Sequence, residues 1–563
     1  MNPDSNKKII QTGSLPLGKF FGRGEHWLWL TGACLSVALI MIVGLLFVIV
    51  SNGAGFFWPK DLTEFTLKDG ESTQKVMGIL MAHDTLREEI PEGKGIRLIP
   101  ETQFRVGNRD IYAADFVWYR DENISGIMKP KLGVALERME YGNFYGFMES
   151  FKINDDVIAT GGQAWERLLK ELPLVNRKRK AAEAIKEHEI GEISHEIKEA
   201  TIQLNKLKRN THPTAEQVSK IEEYNQFMVA KNEEFQTLKD KAQKILDEAD
   251  DYSGVFKTAD GREKVIPLLN IVEAWQPNNM SVFEKCIFYV RQVWGFIFDD
   301  PRESNQEGGV FPAIFGTVVM TVLMSLAVTP FGVLAAFYLR EYASQGPFVR
   351  AVRIAINNLA GVPSIVFGVF GLGFFVYFVG GTMDQLFFSD YLPTPTFGTG
   401  GILWASLTLA LLTVPVVIVA TEESIAAVPR GAREGSLALG ASKFQTICRV
   451  VLPASVPGIL TGIILSMARG AGEVAPLMIT GVVKLAPELP VDLTFPFFHL
   501  DRKFMHLGFH IFDVGFQSPN VEASKPMVYT TTLLLILIII GLNIVAIRLR
   551  DKIRKKYQTG AFA

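Results

Sequence analysis

The chain has 563 residues, is 48% hydrophobic, and carries 57 Lys plus Arg against 59 Asp plus Glu. With a mean hydropathy of only +0.20, apolar spans must share it with a sizeable soluble part, and the near-balance of charge supplies no basic field for nucleic acid. The three cysteines, Cys34, Cys286 and Cys448, form neither a disulfide framework nor a zinc spacing.

Residues 1–26 are polar and precede an apolar run at 27–50. The run is longer than a signal-peptide core and no Ala-x-Ala site follows it, so it is expected to be an uncleaved signal anchor and first span. Residues 51–307 then read as one long insertion. Its first part, about 60–160, has Gly and Asn turns and strand-like stretches and predicts a β-rich module. Next come two helices with apolar positions at spacings of three and four. Ile190, Ile193, Ile197, Ala200, Leu204 and Leu207 mark the first, and Ile221, Tyr224, Met228, Phe235, Leu238, Ala242 and Ile245 the second, with a polar break at Lys231. Asn210 to Pro213 form the expected turn, giving an antiparallel coiled-coil hairpin at about 165–250. Arms of about 35 residues reach roughly 50 Å, so the hairpin is either a docking mast for a partner or a solvated ornament. Residues 280–298 are amphipathic and aromatic, with Arg291 near the centre, and predict a helix along the outer membrane surface rather than a crossing.

Five further apolar runs follow, at about 310–339, 354–380, 401–420, 454–482 and 528–548. Arg340, Arg350 and Arg353, then Arg430, Arg433, Lys443 and Arg449, then the Arg- and Lys-rich tail fall on one side, whereas 381–400 holds only Asp384 and Asp390. The positive-inside rule therefore puts the 1–26 segment, the 421–453 loop and the 551–563 tail in the cytoplasm, and the 51–307 insertion outside. Inside the fifth run sit Arg469 and Glu473, each costing about 2.5 to 3.5 kcal/mol at a lipid-exposed centre. They are expected to face the protein interior, one turn apart on one helix face, with Gly470 and Gly472 allowing close approach. A guanidinium offers a rigid fork of donors to a tetrahedral oxyanion, and Glu473 can accept a hydrogen bond from a protonated phosphate oxygen. A purely structural ion pair is the alternative. His499, His506 and His510 lack a carboxylate motif of the H-E-x-x-H kind and read as interfacial, with no metal. No cofactor site stands out, and no stretch reads G-x-x-x-x-G-K-[ST], so this chain must borrow its energy source.

Before the fifth run, Glu434, Gly435 and Ser436 are followed after three residues by Gly440 and after nine more by the stretch ending in Leu452 and Pro453. This resembles the cytoplasmic EAA coupling loop of bacterial ABC importer permeases: a short helix, a turn at Gly440, and a second short helix ended by Pro453. LREY at 339–342, AGVPSIVFGVFGLG at 360–373, TEESIAAVP at 421–429 and ARGAGEVAPLM at 468–478 narrow the resemblance to the PstA-type permease subunit of phosphate ABC importers. That resemblance covers the first span and roughly 308–550. It implies a bacterial inner-membrane subunit moving phosphate by alternating access, with a PstC-type permease, a PstB-type ATPase dimer and a PstS-type phosphate-binding protein as partners. It also implies a substrate path at Arg469 and Glu473. The same machine with another oxyanion as cargo, or an envelope scaffold or sensor using the mast, are the competing expectations. The expected fold is an all-α polytopic membrane protein of six transmembrane helices plus a large extracytoplasmic α+β insertion containing the hairpin.

Overall fold

The computed structural model describes residues 25–69, 72–89, 96–154, 156–208, 214–492, 495–518 and 521–561. The turn expected at Asn210 to Pro213, and residues 1–24 of the N-terminal segment, lie outside them.

Six helices among the described residues are long and apolar enough to cross a bilayer: His26–Gly55, Phe311–Tyr342, Ser364–Phe387, Ile402–Ala426, Lys443–Gly472 and Ser524–Lys555. Two begin or end at least ten residues away from the expected runs. Residues 354–359 belong to a separate amphipathic helix, Pro347–Leu359, and the third span starts only at Ser364. Pro363 disfavours helical backbone at Val362 and splits the run there. The fifth helix starts eleven residues earlier than the expected 454 and stops at Gly472, well short of 482. Pro453 does not end a helix. A π-turn at Ile447–Val451 shifts the hydrogen-bond register just before it, and Pro453 falls in the first turn of Leu452–Gly472, where a missing N–H is tolerated.

The fourth span is the centre of the bundle: 67% of its apolar window is buried, against 6% for the first and sixth. Methionines and small polar residues of the second span line its packed face. Thr317, Thr321, Ser325 and Thr329 each return their hydroxyl to the carbonyl four residues back, at 2.6–2.7 Å. These bonds satisfy polar atoms that a dry interior would otherwise leave unpaired. The third span approaches the fourth through Gly371, where even a Cβ would overlap Thr408 Oγ1. Thr408 cannot swing away without leaving Trp404 O, to which it donates at 2.7 Å. Gly371→Ala is therefore expected to cost about 1–3 kcal/mol by overpacking, seen as a lower thermal midpoint and less monodisperse protein in detergent chromatography. An unchanged midpoint would show that the two helices can separate freely.

Between the first and second spans lies a strand-and-helix unit. Strands β1 (Leu62–Asp69), β2 (Ser72–Glu89), β3 (Ile96–Arg105), β4 (Phe116–Arg120) and β5 (Ile124–Met128) form an antiparallel sheet in the order β4-β3-β2-β1-β5. A second sheet combines β6 (Val134–Arg138), β7 (Phe144–Ile153) and β8 (Asp156–Thr160) with β9 (Tyr252–Lys257), β10 (Glu263–Pro267) and β11 (Ile271–Trp275). The last three follow the helical hairpin, in a stretch the sequence reading left without elements. Pairing of β7 with β9 and of β6 with β11 closes the sheet across the hairpin. Its core is Val134, Phe144, Phe151, Phe256 and Ile271, capped by Leu168, Leu172 and Val175 of the helix Gly161–Ala184.

The hairpin continues through a π-turn, Ile185–Glu189, into Ile190–Lys208, and returns as Ala215–Asp250. Ion pairs 178–248, 189–241 and 196–231 run antiparallel along it. The polar break at Lys231 is thereby explained: its ammonium lies 2.7 Å from Glu196 on the opposite arm. The amphipathic helix Val282–Phe298 starts with a Ser281–Glu284 capping box. Its Arg291 and Lys285 pair with Glu273 and Asp61 of the strand unit, while Phe283, Ile287, Val290 and Trp294 stay exposed. One face thus clamps the sheets and the other is an apolar stripe.

Candidate substrate path and coupling loop

The fifth span ends where its sequence stops supporting a helix. Gly470 and Gly472 weaken the last turn, and Pro476 bars its continuation. Glu473 leaves the helix with extended backbone (φ −82, ψ 137), and a new helix runs over Ala475–Thr480. Glu473 is therefore not one turn further on the same helix, as the spacing suggested, but on the break itself. Its carboxylate still lies 3.8 Å from Arg469 Nε. At that distance the pair is an ion contact beyond hydrogen-bond range, so the guanidinium N–H groups are not tied up by Glu473. Gly470 rests against Met324, midway along the second span, so the break sits at mid-depth of the bundle. The Arg469 and Glu473 side chains remain 34% and 23% exposed in the single chain. Such a cation at a broken mid-bundle helix can hold an anion and let it go.

The coupling segment forms two helices around a tight turn. Arg430–Ala438 carries Glu434, Gly435 and Ser436; Gly440 takes φ +85, a left-handed conformation that other residues adopt at a cost. Ser442 then caps the next helix, accepting from Gln445 N at 3.2 Å while its own N–H reaches Gln445 Oε1 at 2.8 Å. Ser436 Oγ lies 3.0 Å from Thr446 Oγ1, so the two helices are cross-braced. Leu452 packs on the buried cluster of Ile425, Val428 and Val451, and Pro453 follows it into the span. Around the turn the apolar side chains point outward: Leu439 is 90% and Phe444 66% exposed.

The histidines are not interfacial. His506 and His510 are fully buried, and burial pushes them down to about 3 and about 4, so both are neutral. His506 Nδ1 accepts from Gly508 N at 3.1 Å and caps the short helix Leu507–Phe512, while His499 lies 3.0 Å from Asp492. Among the described residues no group of three or more His, Cys, Asp or Glu is placed to hold a metal.

The family described as binding-protein-dependent transport system inner membrane component matches residues 328–559. A phosphate transport system permease protein PstA from Mycobacterium leprae is 40% identical over 172 residues, 31% of this chain and 51% of the relative. A probable PstA from Methanocaldococcus jannaschii is 33% identical over 231 residues, 40% of this chain and 72% of the relative. The chain belongs to this transport family, as a PstA-type permease. It spans about half the length of several curated relatives it matches. The MetNI methionine ABC transporter, in inward-facing form, overlays 43% of this chain and 94% of its own at a TM-score of 0.32 and 17% identity.

Set in this PstA-type permease, the quoted motifs acquire partners that the sequence alone did not supply. Arg353, on the amphipathic helix Pro347–Leu359, pairs with Glu422 of TEES at 3.2 Å and donates to Leu339 O at 3.2 Å. Arg433 of the coupling helix pairs with Glu341 of LREY at 3.3 Å and donates to Ile425 O. One ion pair thus braces the coupling helix on the end of the second span, and the other ties the amphipathic helix to the end of the fourth. By themselves the arginines of these loops suggest only orientation.

Proposed function

We propose that this permease is the membrane subunit of an ATP-driven importer for inorganic phosphate, with Arg469 as the transient anion contact. The observation that carries this reading is the Arg469–Glu473 contact at a broken helix in mid-bundle. The PstA names of its relatives support phosphate as the cargo. Glu473 balances the guanidinium when the path is empty and accepts from the acidic oxygen of hydrogen phosphate when it is full. Sulfate, which carries no proton at neutral pH, cannot supply that bond.

A PstC-type permease completes the path against the exposed face of the third span, where Ile365, Val366, Val369 and Phe370 are uncovered. A PstB-type ATPase dimer receives the loop formed by Glu434, Gly435, Ser436, Gly440, Leu452 and Pro453. A PstS-type binding protein delivers phosphate on the far side, where the 51–307 unit lies and the Val282–Phe298 stripe meets the membrane surface. Closure of the ATPase dimer on ATP drives the loop and turns the path outward; hydrolysis returns it. In vesicles holding this permease and its three partners, ATP-dependent uptake of labelled phosphate is expected to resist competition by sulfate and molybdate. Equal competition by either anion would reassign the cargo, and absence of ATP-dependent uptake would end the importer reading.

A further inference from the structure

The hairpin does not stand away from the spans. Its root, Gly161–Ala184, is fixed: Leu168, Leu172 and Val175 are buried in the second sheet, Asn176 and Arg179 donate to Val272 O and Leu269 O at 2.9 Å, and Lys180 lies 3.6 Å from Asp299. Beyond the root the helix passes through the π-turn Ile185–Glu189 and Gly191, both weak points of a helix. From there Ile190–Lys208 packs on the returning arm, through Ile193, Ala200 and Leu204. At its far end Lys206 Nζ lies 2.8 Å from Asp390 Oδ2, in the turn Ser389–Tyr391 between the third and fourth spans. From the π-turn to Lys206 the arm covers roughly 25 Å. One end is therefore tied to Asp299, just before the second span, and the other to the opposite loop.

We propose that the hairpin is a strap across the outer ends of the spans, hinged at residues 185–191 and latched by Lys206 on Asp390, and that outward opening releases the latch. The proposal rests on the alternating-access reading above. Asp390 is one of two acids in a loop, 381–400, that contains no Lys or Arg, and the other, Asp384, is buried and taken by Phe397 N and Gly398 N at 2.8 and 2.6 Å. Asp390 is thus the acid left for an outside cation. An exposed pair of this kind is weak and screened by salt, which suits a contact that breaks in every cycle. Separation of the second span from the third and fourth at their outer ends must either bend the hinge or free Lys206.

The test uses the complete transporter with Cys34, Cys286 and Cys448 replaced by serine and Lys206→Cys and Asp390→Cys added. A short reducible bis-thiosulfonate reagent spans the gap left by the lysine stem. Cross-linking is expected to lower phosphate uptake at least tenfold, with recovery on reduction, while either single cysteine variant transports normally. A second readout does not depend on cargo: the yield of cross-link should fall at least threefold when a non-hydrolysable ATP analogue holds the ATPase closed. Cross-linked protein that transports as fast as the disulfide-reduced protein, a yield blind to nucleotide, or failure to cross-link at all would each overturn the strap. If the reduced protein and the wild type both take up no phosphate, the importer reading fails instead, and the nucleotide-dependent yield still decides the latch.

Discussion

Arg469→Ala is expected to lower ATP-driven phosphate uptake by at least 100-fold while membrane insertion and partner assembly stay normal. Hydrogen bonds to charged groups contribute about 1.5–3 kcal/mol each, and a guanidinium presents two in parallel to one oxyanion. Losing even one such bond to the anion removes one to two decades of rate, at about 1.4 kcal/mol per decade. The alanine also strands Glu473, 3.8 Å away at present, as an unbalanced carboxylate that repels the incoming anion. Arg469→Lys separates charge from geometry: a point charge without the fork should retain a fraction of the rate, between alanine and wild type. Folding is not expected to suffer, because the Arg469 side chain is one-third exposed and the helix around it is held by Gly470 against Met324 and by Ser455, Ile459 and Gly462 in the bundle. Initial uptake rates, normalised to the amount of assembled transporter, decide it; wild-type uptake in Arg469→Ala would remove the residue from the path.

What could be read from the sequence follows how local each signal is. Hydropathy over twenty residues located six spans, because a bilayer imposes length on every crossing whatever the neighbours do. The ends of two spans escape that signal for a reason visible at Pro363 and Pro476. Both stand inside otherwise continuous apolar runs, and hydropathy does not register a proline's effect on the residue before it. Pro453 misled in the opposite sense, since a π-turn upstream turned an expected stop into a start. The Arg469–Glu473 pair was legible from charge in an apolar run, but not its setting, because the break at Glu473 depends on backbone rather than on side-chain chemistry. Least legible were contacts between distant segments. Strands β9 to β11 join a sheet begun a hundred residues earlier, Arg353 finds Glu422, and Lys206 finds Asp390. No periodicity announces such pairings, since either partner alone reads as an ordinary surface residue.

The coupling loop offers the second large effect, because two large apolar side chains beside its turn are exposed. Leu439 and Phe444 flank the Gly440 turn at 90% and 66% exposure, on the segment proposed above to meet the ATPase. Burial of a leucine or phenylalanine side chain contributes about 1.5–3 kcal/mol, and an aspartate in the same pocket must also be desolvated. The pair Leu439→Asp and Phe444→Asp is therefore expected to weaken attachment of the ATPase at least 100-fold, after discounting for the costs of association. Neither side chain packs into the bundle, so the spans should still insert and the thermal midpoint of the isolated subunit should not move. The discriminating measurement is the amount of ATPase that travels with an affinity-tagged subunit, taken together with uptake. Loss of both with an intact midpoint fits a lever seated in a nucleotide-driven partner. Full retention of the ATPase by the double variant would mean that the turn at Gly440 is not where the two proteins meet, and the stroke would have to enter through another surface.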